Sequence, residues 1–362
     1  MKVGRIIKEI IDYEREETLS HVNEKRKFMI SLFYQADPYW QTEQIPFFID
    51  LFSPYNTETL QIFKEMGLEE NYLVNHKTFC YNNAPISLTM ENSPIIIYSP
   101  GMGVDRDLYL YNITKLVQAG YMVITVGVTY ETMVTVFPGK GIVQQSDIVR
   151  NMSGMDFTSL KRLVEVRIED ITTVINTLLN WNETDSYFKG KFDLNRIGVI
   201  GHSLGGTTIF ELASKDERIK AGVILDGSLF LISDVKNVHT PILSIRQHHS
   251  SYQQMKEIWD AESAELFSKG QQSLWDSLRG IKYFMKINQS NHISFTDAPI
   301  FMNKKNDIVE SVGRIHHTIN DFTIAFFNEL LERKSHDFSQ MINNKSHGKG
   351  FYLIDREGEI IA

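Results

Sequence analysis

Five residues, Gly201-His202-Ser203-Leu204-Gly205, constrain this chain more than any other feature. The apolar run Asn195-Arg196-Ile197-Gly198-Val199-Ile200 before them reads as a buried strand, and Gly206 to Ala213 after them reads as a helix. A G-x-S-x-G pattern between a strand and a helix is a nucleophile elbow, whose sharp turn holds the serine in a strained conformation at the top of a sheet. Gly201 and Gly205 let strand and helix approach without a clash. The bland alternative is a glycine-rich turn with no chemistry; the flanking strand and helix favour the elbow.

The rest of the chain supplies a sheet for it. Strands are expected at Pro94–Ser99, Tyr121–Val128, Ala221–Leu225, Pro241–Ile245 and Ile281–Ile287, with helices at about Leu108–Ala119, Val164–Trp181 and Ile315–Glu332. This alternation predicts an α/β fold with a mostly parallel central sheet and helices on both faces. Before it, Arg26–Tyr34 and Thr78–Leu88 read as strands, Glu58–Glu69 as a short helix, and Gly4–Asp12 as either a strand or an amphipathic helix. One domain is expected over residues 1–334, with an N-terminal strand region over 1–90 and a cap over 130–160. A polar C-terminal tail, 335–362, follows, with a short hairpin around Glu357-Gly358.

Composition narrows the function. Of 362 residues 42% are hydrophobic and 23% charged, and the net charge is −8 with both signs mixed, so a nucleic-acid surface is not expected. Glu9, Asp12, Glu14, Glu16 and Glu17 interrupt the N-terminal segment, which does not read as a signal peptide. No apolar stretch approaches the roughly 20 residues of a membrane helix, and the expected location is the cytoplasm. The single cysteine, Cys80, reads as a buried thiol. No cysteine/histidine cluster has zinc spacing, so neither metal nor cofactor is expected.

A serine hydroxyl needs a histidine base, and the histidine needs a carboxylate. In this fold both follow the serine along the chain. Asp226 ends the apolar run Ala221–Leu225 and is the best acid; Asp234 and Asp260 terminate no core strand. His292, in the polar loop after the last predicted strand, is the best base. His202 lies beside the nucleophile, so its side chain points elsewhere. His248 and His249 line the pocket or, in another register, supply the base, while His316 and His317 read as structural. The oxyanion donors expected are the backbone N–H groups of Leu204 and of Met102, in Ser99-Pro100-Gly101-Met102-Gly103. Met133, Val134, Val136, Phe137, Met152, Met155 and Phe157 either wall an acyl pocket, as a substrate-binding reading of Met133 and Phe137 requires, or anchor a long loop to the core.

Together these residues resemble the platelet-activating-factor acetylhydrolase family, the plasma and intracellular type II enzymes and their bacterial relatives. Tyr98 to Gly103 is similar to the family's oxyanion loop, Gly201 to Gly206 to its nucleophile motif, Leu225-Asp226-Gly227 to its early acid, and His292 with Phe295 and Asp297 to its histidine loop. Arg15-Glu16-Glu17 and Arg26 to Tyr34 resemble its N-terminal strands. The likeness touches about residues 12–330. Thr129-Tyr130-Glu131 stands where the family usually has His-Arg-Asp, and Tyr34-Gln35-Ala36 lacks the usual proline. Those departures bear on acyl specificity, not on hydrolase chemistry. The resemblance implies an α/β-hydrolase that cleaves short acyl esters, including short-chain phospholipids, without calcium. A small-molecule ester or lipid is the expected partner, and the oligomeric state is left open. A peptidase or amidase with the same triad, and a non-catalytic binding protein on this scaffold, are the alternatives.

Overall fold

The computed structural model describes residues 1–41, 43–152, 156–302, 306–343 and 350–361. In chain order the first elements are β1 (Val3–Glu16), β2 (Lys25–Gln35), α1 (Asn56–Glu65), α2 (Glu70–Asn75), β3 (Cys80–Asn82), β4 (Ser93–Ser99), α3 (Leu110–Gln118) and β5 (Met122–Val126). A small hairpin, β6 (Val134–Phe137) with β7 (Gly141–Gln144), precedes α4 (Asp147–Arg150) and α5 (Phe157–Thr184). Then come β8 (Phe192–His202), α6 (Leu204–Ala213), β9 (Ile219–Leu225), β10 (Ile242–Arg246), α7 (Tyr252–Met255), α8 (Ala261–Ser277) and β11 (Tyr283–Ile287). The chain closes with α9 (Ala298–Phe301), α10 (Asn306–Leu330), α11 (Asp337–Asn343) and β12 (Phe351–Leu353).

Ten strands form one sheet in the order β12-β11-β10-β9-β8-β4-β5-β2-β1-β3. The six from β11 to β5 are mutually parallel, as the alternation predicts. All seven residues of β4 are buried, the pattern of a strand covered on both faces. Its Ile96 and Tyr98 join a core with Ile113 of α3 and Ile319 of α10, while Ile95 and Ile97 join one with Ile175 of α5, Phe210 of α6 and Leu274 of α8. Helices therefore cover both faces.

The open reading at Gly4–Asp12 resolves as strand. The residues pair antiparallel with β2 from Val3↔Gln35 to Asp12↔Arg26, so β-branched side chains meet cross-strand partners. Thr78–Leu88 is strand over only three residues, because Asn83 turns to φ 49° and Pro85 has no N–H to continue a ladder. The segment expected as a cap holds, among its described residues, the β6–β7 hairpin and the short helix α4; Met155 lies outside the described residues. The segment expected as a tail joins the sheet: β12 pairs with β11 at Met285↔Leu353 and Ile287↔Phe351, covering what would be an open edge. Beyond it the expected hairpin forms, with Ile354 bridging Ile360. Asp260, considered as an acid, caps α8 by accepting the Ser263 N–H at 2.9 Å.

The elbow depends on close backbone approach. A Cβ on Gly205 would lie 2.2 Å from Ser99 O, and one on Gly201 would lie 2.1 Å from Gly205 O. Rigid backbone atoms cannot rotate away. Gly205→Ala is expected to lower the unfolding free energy by about 3 kcal/mol, measured by urea denaturation against wild type.

Candidate active site

The elbow leaves Ser203 at φ 54°, ψ −120° between β8 and α6. Such strain costs about 1–3 kcal/mol and persists only where surrounding bonds enforce it. Here Ser203 N–H donates to Leu225 O at 3.1 Å, and Ser203 O accepts from the N–H groups of Gly206 and Ser228, each at 2.9 Å. The side chain is thereby presented beyond the carboxyl ends of the parallel strands.

Two partners meet it there. His292 Nε2 lies 2.9 Å from Ser203 Oγ, and His292 Nδ1 lies 2.7 Å from Asp226 Oδ2. A proton on Nδ1 directed at the carboxylate leaves Nε2 free to accept from the serine hydroxyl. Asp226 follows β9 at φ 43°, anchored by its own N–H to Ile245 O at 2.8 Å. Its Oδ1 accepts from Gln247 N–H at 3.2 Å and faces Arg246 Nη1 at 3.6 Å. Burial raises the Asp226 pKa, but the Arg246 charge and the His292 hydrogen bond outweigh it and hold the carboxyl at about 2. The three residues singled out as a triad stand in one hydrogen-bonded line.

Of the two residues expected to supply oxyanion donors, Leu204 follows the serine directly and Met102 lines the same cavity as it. Leu204 opens α6, where an N–H has no partner within the helix. Met102 sits between two committed neighbours: Gly101 N–H donates to Tyr109 Oη at 2.8 Å, and Gly103 N–H donates to Glu131 Oε1 at 3.3 Å.

His202 does more than the sequence reading allowed. Its ring is buried, Nδ1 lies 3.0 Å from Tyr109 Oη, and Nε2 lies 3.1 Å from the backbone oxygen of His292. Only a protonated Nε2 can donate to that carbonyl, so Nδ1 accepts from the tyrosine. Burial, followed by the neighbouring His292, lowers the His202 pKa to about 3. A neutral imidazole thus links the oxyanion loop to the histidine loop. Nothing in the pattern of residues 201–205 announces this, because its partners come from residues 109 and 292.

The histidine loop is braced from below as well. The Asp297 carboxylate accepts the N–H groups of Leu110 and Tyr111 at the start of α3, and burial pushes its pKa up to about 7. His316 Nε2–H is shared between Ser294 O at 3.2 Å and Thr296 O at 3.1 Å, the structural role expected of it. Burial, only partly offset by those bonds, lowers the His316 pKa to about 4. An unfolded histidine titrates near 6.5, so below that pH the unfolded chain takes up a proton that the folded one does not, and stability falls. Glutamine does not titrate. Between pH 6.5 and 4, wild type is therefore expected to lose about 3 kcal/mol more stability than His316→Gln, read from urea unfolding at both pH values.

A largely apolar cavity of about 260 Å³ opens onto Ser203 and His292. Met102 and Met133 line it, as expected for the oxyanion loop and the cap. Phe63 and Met66 of the α1 region, with Leu108 and Met302, complete its wall. These were missed: at helical spacing they look like any core-facing residues, and only the fold carries them to the serine. Phe137 does not line this cavity; it is buried in the β6 hairpin. Nor do His248 and His249, which follow β10 and lie against the loop after β11 and the α7 region instead. His248 Nδ1 faces Gln289 N–H at 3.4 Å, and His249 lies 3.7 Å from Glu257. A larger hollow of about 720 Å³ between β11, α10 and β12 contains none of the three triad residues. Among the described residues no group of three or more His, Cys, Asp or Glu is placed to hold a metal ion, and no helix is long and apolar enough to cross a membrane.

Residues 17–340 match the family model described as platelet-activating factor acetylhydrolase, isoform II. A platelet-activating factor acetylhydrolase of Cavia porcellus is 24% identical over 260 residues, 67% of this chain and 51% of that protein. A protein of Arthroderma benhamiae named "Probable 1-alkyl-2-acetylglycerophosphocholine esterase" is 27% identical over 256 residues, 68% of this chain and 60% of its own length. The chain thus spans little more than half the length of these curated relatives. A solved ferulic acid esterase of Streptomyces cinnamoneus superposes with a TM-score of 0.75 at 22% identity, over 98% of this chain and 96% of that one, which shows the α/β-hydrolase fold. With a family match over most of its length and the fold to go with it, the chain belongs to the platelet-activating factor acetylhydrolase, isoform II family.

Proposed function

We propose that the protein is a serine carboxylic-ester hydrolase that cleaves short acyl groups from esters, including phospholipid-like esters of the kind named for its relatives. The observation that carries this reading is the line from Asp226 through His292 to Ser203, with spacings of 2.7 and 2.9 Å, at the mouth of a small apolar cavity.

In this reading Ser203 Oγ attacks the ester carbonyl carbon while His292 Nε2 takes its proton. The imidazolium formed is stabilised by the Asp226 carboxylate. The carbonyl oxygen, now an oxyanion, accepts from the N–H groups of Met102 and Leu204; one such donor is worth about 10²–10³ in rate. His292 returns the proton to the departing alcohol, leaving Ser203 acylated. Water, deprotonated by His292, then attacks the acyl carbon, and His292 returns the proton to Ser203 Oγ as the acid departs. The cavity, smaller than the roughly 300–1,000 Å³ of drug-sized sites, suits a short acyl arm.

A p-nitrophenyl ester series from acetyl to palmitoyl, run beside fluorophosphonate labelling, tests this. Expected are labelling at Ser203 and a kcat/KM that falls as the chain lengthens. Equal turnover of an anilide and its matched ester would assign an amidase instead. Folded protein that neither labels nor turns over would assign a binding protein.

A further inference from the structure

A buried ion pair that takes no part in the steps above grips the oxyanion loop. Glu131 lies in the turn after β5 and Arg167 in α5, and both side chains are buried. Arg167 Nε donates to Glu131 Oε2 at 2.7 Å and Nη2 donates to Oε1 at 2.5 Å, a two-pronged pairing that fixes the guanidinium plane. The remaining guanidinium N–H groups turn to the loop. Nη1 donates to Pro100 O at 2.7 Å and to Ser99 Oγ at 3.3 Å, and Nη2 donates to Gly101 O at 3.3 Å. Glu131 Oε1 takes the Gly103 N–H as well.

One of these contacts bears directly on catalysis. The Gly101 carbonyl and the Met102 N–H belong to the same planar trans peptide and point in opposite directions. Drawing the Gly101 oxygen toward Arg167 therefore turns the Met102 N–H away from Arg167. Met102 lines the cavity together with Ser203. Tyr109 Oη holds the Gly101 N–H from another side, so the preceding peptide is pinned too. The buried pair of Arg26 with Asp170, by contrast, joins β2 to α5.

We propose that Arg167 and Glu131 are positioning residues that aim the Met102 N–H at the oxyanion by fixing the plane of the Gly101–Met102 peptide. The proposal rests on the serine-hydrolase reading. It also gives the Thr129-Tyr130-Glu131 segment, a departure from the family pattern, a place beside the reacting centre rather than in acyl selection.

The test compares wild type with Arg167→Lys and Glu131→Asp. Kinetics with p-nitrophenyl acetate are read together with thermal midpoints and the inhibition constant of a short-chain trifluoromethyl ketone, whose adduct with Ser203 carries an oxyanion. Lysine cannot reproduce the fork, and Arg167→Lys is expected to lose about 10²-fold in kcat, the scale of one misaimed donor, with KM within about threefold of wild type. The ketone constant should rise by the same factor as kcat/KM falls. Glu131→Asp keeps the charge, is the least disruptive change, and should show the same pattern at smaller size. It decides the matter if Arg167→Lys does not fold. A pair that only stabilised the fold would lower the thermal midpoint and leave the ketone affinity of the folded fraction unchanged. Folded variants with near-wild-type kcat, or with lowered kcat and intact ketone affinity, would overturn the proposal alone. Wild-type protein without Ser203-dependent turnover would overturn the hydrolase reading, and this proposal with it.

Discussion

Ser203→Ala protein is expected to turn over p-nitrophenyl acetate about 10⁶-fold more slowly than wild type in kcat, because no other group replaces the attacking oxygen. The serine stands 2.9 Å from the base, and the neighbouring hydroxyl, Ser228 Oγ, lies 3.5 Å from Ser203 Oγ rather than against His292. KM should change little, since the apolar wall of the cavity is untouched. Alanine keeps the Cβ, so the strain at φ 54° is the same and the thermal midpoint should stay near wild type. Fluorophosphonate labelling should vanish with activity. Turnover within about a hundredfold of wild type in pure, folded Ser203→Ala would exclude Ser203 as the nucleophile.

Asp226→Asn should cost about 10⁴-fold in kcat, and the surroundings of the carboxylate say why. Gln247 N–H and Arg246 Nη1 both face Oδ1. An asparagine placed there keeps its oxygen toward those two donors and turns its NH₂ toward His292 Nδ1. Nδ1 must then be the acceptor, the ring proton moves to Nε2, and the base can no longer take the serine proton. The geometry survives while the tautomer is wrong. Measurement of kcat and KM on the same ester checks this. A loss below tenfold would mean that Asp226 does not set the tautomer of His292.

The parts of this site that could be read in the sequence are those whose chemistry is local. The elbow declares itself because a strained turn between two packed elements demands glycine at 201 and 205, and the clash distances bear that out. Asp226 and His292 were legible because each follows an apolar run that had to be a strand. The rest is long-range. Phe63 and Met66 come to line the cavity at Ser203 only through the way α1 packs in the fold, and no spacing encodes that. His202 was assigned away from the chemistry on the elbow's geometry, yet its ring joins Tyr109 to the His292 backbone. His248 and His249 looked suitable because they follow a strand, but the direction of a loop is set by what it packs against. Residues 335–362 looked like a tail because polar residues dominate up to Gly350; three residues, Phe351–Leu353, were enough to add a strand.

That added strand ties the seat of His292 to a distant part of the chain. β12 flanks β11, the strand that leads into the histidine loop, and Asn288 N–H donates to Gly350 O at 2.8 Å. Ser203 and Asp226 follow β8 and β9, which pair with each other and have a neighbour on either side. His292 hangs from a strand whose outer neighbour is made some sixty residues later. Of the three residues in the hydrogen-bonded line, His292 is therefore the one whose place leans on a segment remote from it in sequence.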